Sequence, residues 1–317
     1  MSNARKLADN LPSVGQLGNR NIIINGNFTI SQRGSYTSST SVSDGTFYLD
    51  RWQYVEDGSP SSSLIHNSDG SVKITTGASV TGSSRLRQKF EYSLAPRQYD
   101  NKTFTVSAKV KSNTANARIN VYAGGYLSLT GTTAHSGGGS YETLTATFTT
   151  PSTISTEFSV HIGIDGASSA NVSITSGQYF EVKEVQMELG SQSTPFEHEL
   201  ASTTLLKCQR YYQVIAEGAT NQPIGNAEYY SNSQVNCIIH LQTPMRAGPT
   251  IDIVSGTNYY RMYRNSGNDL FNDFEIDQSS PSRVDIRNNT HASGTAGQAG
   301  MLRLANANAK LAFTAEL

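Results

Sequence analysis

Alternation of apolar and polar residues with a period of two constrains this chain more than any other feature. Phe104, Val106, Ala108 and Val110 share one face of an extended run, while Thr105, Ser107, Lys109 and Lys111 share the other. A β-strand places successive side chains on opposite faces, so such a run fits a strand with one face in a core. Shorter runs of the same kind recur at 47–49, 52–55, 72–74, 86–90, 118–122, 142–148, 157–164 and 180–187, separated by Gly, Ser, Asn and Asp turns. About nine strands with short turns and no convincing helix predict an antiparallel sandwich of jelly-roll type. A second series follows at 214–215, 236–241, 250–254, 259–263, 271–276, 284–287, 301–304 and 310–315. No repeat of fixed period is present, which argues against a β-helix or a propeller.

The expected fold class is therefore all-β, in four segments. In residues 1–20, Ser2 and Asn3 can cap a short helix that Pro12 and Gly15 end, too short to hold by itself. Residues 21–198 form the jelly-roll sandwich. Residues 199–213 form a linker helix capped by Ser202, with Leu205, Leu206, Gln209 and Tyr212 on one stripe. Residues 214–317 form a second, smaller β-sandwich. The segment 21–34 reads as an opening strand with a Gly-marked turn, and 179–197 reads as its closing counterpart. Two such strands bracketing about 175 residues suit one sandwich. Tyr229 and Tyr230 fall in what reads as a polar loop.

Composition removes several classes of function. The net charge is −1, which gives no electrostatic basis for binding nucleic acid. No apolar run approaches the roughly 20 residues that cross a bilayer, so membrane insertion is not expected. Met1–Asp9 carries two positive charges without an apolar stretch behind them, so folding in a cytoplasm is expected. Cys208 and Cys237 read as reduced and structural, because one pair is no disulfide framework in a chain of 317 residues.

The six histidines are scattered without ligand spacing, and neither a phosphate-binding glycine loop nor a Gly-x-Ser-x-Gly elbow occurs. No catalytic residue, metal or cofactor is expected, and the chain is read as a non-enzyme. Aromatic residues are the better lead, since sugar rings stack on them while sugar hydroxyls bond to amides, carboxylates and guanidinium groups. Tyr outnumbers Trp by 16 to 1. Trp52 is assigned to the core. The candidate glycan contacts are Tyr122 and Tyr126 around the Gly124–Gly125 turn, then Tyr229, Tyr230, Tyr259, Tyr260, Arg261 and Tyr263.

The run from Ile24 through Asp50-Arg51-Trp52 to Cys208-Gln-Arg-Tyr-Tyr212, with the closing Ala312-Phe-Thr-Ala-Glu-Leu317, resembles the tail-fibre and related appendage proteins of tailed bacteriophages, especially those of marine hosts. The pattern of strands over 21–198 also resembles the jelly-roll carbohydrate-binding modules that precede glycoside hydrolase domains. Taken alone, residues 1–20 are a frayed end. The phage resemblance implies instead that Asn3-Ala-Arg-Lys-Leu-Ala-Asp9 docks on the particle, with Arg5, Lys6, Leu7 and Leu11 as contacts. It implies a virion location after assembly in the bacterial host, other virion proteins as partners, a homotrimer, and attachment to a host-surface glycan by residues 214–317. A fibre or decoration on the capsid fits the same features, and a polysaccharide depolymerase is a further alternative.

Overall fold

The computed structural model of the protein describes residues 20–94, 97–265 and 267–317. The predicted docking residues Arg5, Lys6, Leu7 and Leu11 lie outside the described residues. The chain divides into two compact units, which adjoin in sequence at Thr204 and Leu205.

The first unit is a sandwich of two antiparallel sheets. Its strands are β1 (Thr40–Ser41), β2 (Phe47–Leu49), β3 (Trp52–Asp57), β4 (Ser63–His66), β5 (Val72–Thr75), β6 (Val80–Lys89), β7 (Thr103–Ser112), β8 (Ala117–Ala123), β9 (Tyr141–Thr149), β10 (Phe158–Ile164), β11 (Val172–Ile174) and β12 (Tyr179–Leu189). One sheet has the order β1-β4-β5-β12-β7-β9. The other has the order β2-β3-β6-β10-β8, with β11 paired to β6. The alternation in β7 does what it predicts: Phe104, Val106, Ala108 and Val110 all lie in the core. Around Phe104 gather Phe148, Phe158 and Tyr99, with ring centroids 5.9–6.2 Å away, in tilted geometries that suit the ring quadrupoles. Trp52 is 1% exposed, as its assignment to the core requires.

The segment 21–34 is not a strand. Asn25 and Phe28 take left-handed conformations, at φ 59° and 56°, and coil the chain. Even so, the two bracketing segments meet. The Ile22 amide donates to the Met187 carbonyl at 2.9 Å, and the Val185 amide donates to the Gly26 carbonyl at 2.8 Å. Gly26 is required there, because a Cβ would lie 2.0 Å from the Val185 oxygen.

The only α-helix among the described residues, α1, spans Ala201–Gln209 and is shorter than the predicted 199–213. Its buried positions are Thr204, Cys208 and Gln209, while Leu206 is exposed. Ser202 lies inside the first turn and is not the cap, since the Thr203 and Thr204 amides bond to the Leu200 carbonyl. Tyr212 opens the next strand and is buried, with its hydroxyl donating to Asp252 at 2.7 Å.

The second unit has strands β13 (Tyr212–Glu217), β14 (Pro223–Ser231), β15 (Gln234–His240), β16 (Thr250–Val254), β17 (Tyr260–Arg264), β18 (Gly267–Phe271), β19 (Glu275–Ser280), β20 (Arg283–Asn288), β21 (Ala299–Leu304) and β22 (Lys310–Thr314). They form a three-stranded sheet, β13-β22-β16, and a seven-stranded sheet, β18-β17-β21-β14-β15-β20-β19. Between them lies a second core that includes Val235, Met262, Ile286, Leu302 and Phe313. The predicted single strand 271–276 is two strands, separated by a turn before Glu275.

Neither Cys208 nor Cys237 is in a disulfide, and both are buried. Burial, with a smaller contribution from the Asp285 charge, pushes the Cys237 thiol up to about 12. A thiol so far from ionisation is a poor nucleophile. A thiol-specific chromogenic reagent at pH 8 is therefore expected to label neither cysteine in the native protein and both after denaturation. Rapid native labelling would contradict this burial.

Candidate functional site

The eight predicted glycan contacts separate into a buried set and an exposed set. Tyr229 is 1% exposed and donates to Asp269 at 2.7 Å. Tyr260 is 0% exposed and donates to the Val254 and Lys310 carbonyls. Both are core residues and are withdrawn as contacts. The reason is local: 229–230 is not a loop but part of β14, so alternation turns Tyr229 inward and Tyr230 outward. Tyr259 and Arg261 are half-buried, and Tyr263 is exposed with the Arg303 guanidinium 4.5 Å from its ring centroid. Tyr263, Arg261 and Tyr230 share the outer face of the seven-stranded sheet.

Tyr122 and Tyr126 are brought together in the first unit. They pair across the Gly124–Gly125 turn, with centroids 5.1 Å apart and ring planes at 81°. Gly124 adopts φ +72°, which a side chain would strain. Both rings are half-buried and lie over the outer face of the sheet β2-β3-β6-β10-β8.

That face is unusual for its depth. Register aligns Gln53, Arg87, His161 and Asn120 in one row across β3, β6, β10 and β8, and Lys89, Ser159 and Tyr122 in the next. All seven residues of β10 are buried, so the outward-facing Ser159 and His161 are covered as fully as the core-facing Val160 and Ile162. The Tyr126 ring stands 6.0 Å from the His161 ring, near edge-to-face.

Polar groups on this face satisfy one another. Arg87 donates to Gln53 Oε1 at 2.6 and 3.1 Å. Lys89 lies 3.1 Å and Arg87 3.7 Å from Glu157. Burial raises the Glu157 carboxyl, but Ser159, Lys89 and Arg87 outweigh it and leave it below the usual carboxylate range. Deeper in, Arg85 bridges Asp57 at 2.9 Å and Asp165 at 3.2 Å, and Asn120 donates to Asp165 at 2.7 Å. Burial raises the Asp165 carboxyl, against the opposing pull of Arg85 and the Asn120 bond. The three cations of β6 thus face three carboxylates, Asp57, Glu157 and Asp165, and β8 adds Arg118 to the same face.

The tautomer of His161 follows from this network. Glu157 is ionised and accepts the Ser159 hydroxyl proton at 2.6 Å. Ser159 Oγ must then accept from His161 Nε2, 2.9 Å away. His161 Nδ1 is left as an unprotonated, buried acceptor with no partner. Burial first, and then the charges of Arg85, Arg87 and Lys89, lower this imidazole to about 3.

None of His161, Gln53, Arg87, Lys89 or Glu157 was a predicted site residue. Only the pairing of distant strands places them beside Tyr122 and Tyr126.

No family model and no curated protein matches the chain. Among solved structures it is similar to a CBM4 protein at 15% identity and TM-score 0.30, over 52% of this chain and 98% of that one. It is also similar to the CBM22-1–CBM22-2 tandem domain of Paenibacillus barcinonensis Xyn10C, at 10% identity and TM-score 0.29, over 90% and 91%. Oxalate decarboxylase from Bacillus subtilis aligns at 8% identity and TM-score 0.13, over 88% of this chain and 74% of that one. Scores this low carry neither a family nor an activity to the chain.

Proposed function

We propose that this chain is a glycan-binding appendage protein of a phage particle, and that the outer face of the sheet β2-β3-β6-β10-β8 holds a neutral oligosaccharide. The observation that carries the glycan reading is the Tyr122–Tyr126 pair set against the hydrogen-bonded and ion-paired cluster of Gln53, Arg87, Lys89 and Glu157. Half-buried tyrosines offer apolar ring surface to the C–H face of a sugar. Amide, guanidinium and carboxylate groups at their side offer both donors and acceptors to its hydroxyls. Arg85, Arg87 and Lys89 are already ion-paired with Asp57, Asp165 and Glu157, which favours a ligand without net charge. The phage assignment is supported by the resemblance of the Asp50-Arg51-Trp52 and Cys208–Tyr212 segments to tail-fibre proteins, whether the site of attachment is tail or capsid. A trimer would multiply weak contacts into firm attachment.

Binding without turnover is part of this reading. Asp57 and Asp165 are committed to Arg85, and Glu157 to Lys89 and Ser159, so each carboxylate already has a structural task. Incubation with host-envelope glycan is expected to release no reducing ends.

The test is affinity electrophoresis or calorimetry against a panel of neutral oligosaccharides, with the full chain and Tyr126→Ala. Removing this half-buried ring is expected to weaken binding tenfold or more, about 1.4 kcal/mol. Unchanged affinity in Tyr126→Ala, or no neutral glycan bound at all, would refute this site. The intact protein is also expected to compete with phage adsorption to its host, and a failure to compete at saturation counts against the appendage role.

A further inference from the structure

A second recessed surface, in the other unit, differs from the first in charge. The outer face of the seven-stranded sheet holds a groove of about 690 Å³, within the range of ligand sites. It crosses β14, β15, β20 and β19, roughly 14 Å at about 4.8 Å per strand spacing. Register puts Glu228 opposite Asn236, Asn236 opposite Arg287, and Arg287 opposite Glu275 in one row. Asp285 lies in the neighbouring row, opposite Ile238. Tyr230 stands at the groove with 77% of its surface exposed, and Ile238 with 59%. Large exposed side chains in a recess of this size mark a binding surface more than an ordinary wet sheet face.

The charges here do not balance. Arg287 is the cation of the groove, and it is already committed to Glu275 at 2.8 Å and Asp277 at 2.5 Å. Asp285 accepts only neutral amide hydrogens, from Asn236 at 3.2 and 3.3 Å. Glu228 adds another carboxylate to the lining. Burial raises the Asp285 carboxyl above its usual range, and repulsion from Asp277 and Glu228 adds to this against the pull of Asn236 and Arg287. Acceptors therefore outnumber free donors, with Tyr230 at one side as an apolar platform.

We propose that this groove is a second glycan site, selective for an oligosaccharide of amino sugars with free, protonated amines, whose ammonium groups sit between Glu228 and Asp285 while a ring stacks on Tyr230. An ammonium placed there relieves the carboxylate repulsion and supplies the missing donors. An N-acetyl group at the same position keeps one donor but removes the charge. This site rests on the reading of the chain as a glycan binder, but its occupant and its residues are separate from those of the first face.

The experiment is calorimetry on the full chain with a glucosamine oligomer and with its fully N-acetylated counterpart of equal length. The free-amine oligomer is expected to bind at least tenfold more tightly, and to weaken as salt rises from 50 to 300 mM. Glu228→Gln, at an exposed position where folding is not at stake, is expected to reduce that preference at least threefold, and Glu228→Gln with Asp285→Asn to abolish it. Tyr230→Ala is expected to weaken both oligomers. Equal affinity for the two oligomers, no binding of either, or a preference unchanged by the carboxylate variants overturns the proposal. A chain that binds neutral glycans through Tyr126 yet ignores the amine would refute this groove and leave the first face standing. Selective binding of the amine without any neutral ligand would do the reverse.

Discussion

Replacing Trp52 with alanine is expected to destabilise the first unit by about 3–5 kcal/mol, the usual range for removing a buried aromatic side chain. The indole is 1% exposed and packs with its centroid 5.1 Å from that of Phe28. Its Nε1 donates to the Asn25 carbonyl at 3.0 Å. Asn25 in turn holds the coiled N-terminal segment: its side chain bonds to the Ile30 backbone and to the Asp50 carbonyl. Truncation therefore opens a cavity, leaves a buried carbonyl unsatisfied and loosens the segment that meets β12. Trp52→Phe separates these effects. It keeps most of the ring packing but loses the donor, and is expected to cost about 1–3 kcal/mol for the orphaned carbonyl. Urea denaturation followed by far-ultraviolet circular dichroism measures both. A loss below 1 kcal/mol in Trp52→Ala would show that the ring is not a core element.

The strands of both units were legible because alternation reports one-sided burial directly. Phe104–Val110 and Arg118–Tyr122 are strands for the reason their sequence suggests. The pattern fails where burial is not one-sided. In β10, Ser159, His161 and Gly163 are covered as completely as their apolar neighbours, and polarity gives no hint of that. It fails again in β14, where Asn226-Ala-Glu-Tyr-Tyr reads as a loop. There the inward positions are only Ala227 and Tyr229, and the strand is held by partners on both sides, β15 and β21. Ile22-Ile23-Ile24 misleads in the opposite direction, because the left-handed Asn25 ends any extension. Of the sites, the aromatic members were visible and the polar members were not. Asn236 and Arg287 lie far apart in sequence and become neighbours only through register. The same holds for Arg87 and His161.

Acidification from pH 7 to pH 4 is expected to cost the first unit about 3 kcal/mol through His161 alone, at about 1.4 kcal/mol per pH unit below the ordinary imidazole value. An unfolded imidazole takes up its proton near 6.5, whereas His161 in the fold does so only near 3. Between these values the unfolded chain binds a proton that the folded chain refuses. Stability is therefore complete above pH 6.5 and falls as pH drops toward 3. The cause is geometric as well as electrostatic. The added proton must go to Nδ1, which is buried and faces no acceptor, and the new charge would join Arg85, Arg87 and Lys89. Glu157, whose carboxyl is also depressed, loses its contribution in the same direction but at lower pH. His161→Gln keeps an amide donor for Ser159 and removes the titrating group. Denaturation midpoints read from the fluorescence of Trp52, the single tryptophan of the chain, follow this unit specifically. The variant is expected to show a shallower slope between pH 6.5 and 4, the remainder coming from His66, which burial also depresses, and, from about pH 4.5 downward, from Glu157. Equal slopes in the two proteins would mean that His161 is already charged in the fold, and the hydrogen-bond assignment from Glu157 through Ser159 to its Nε2 would fall with it.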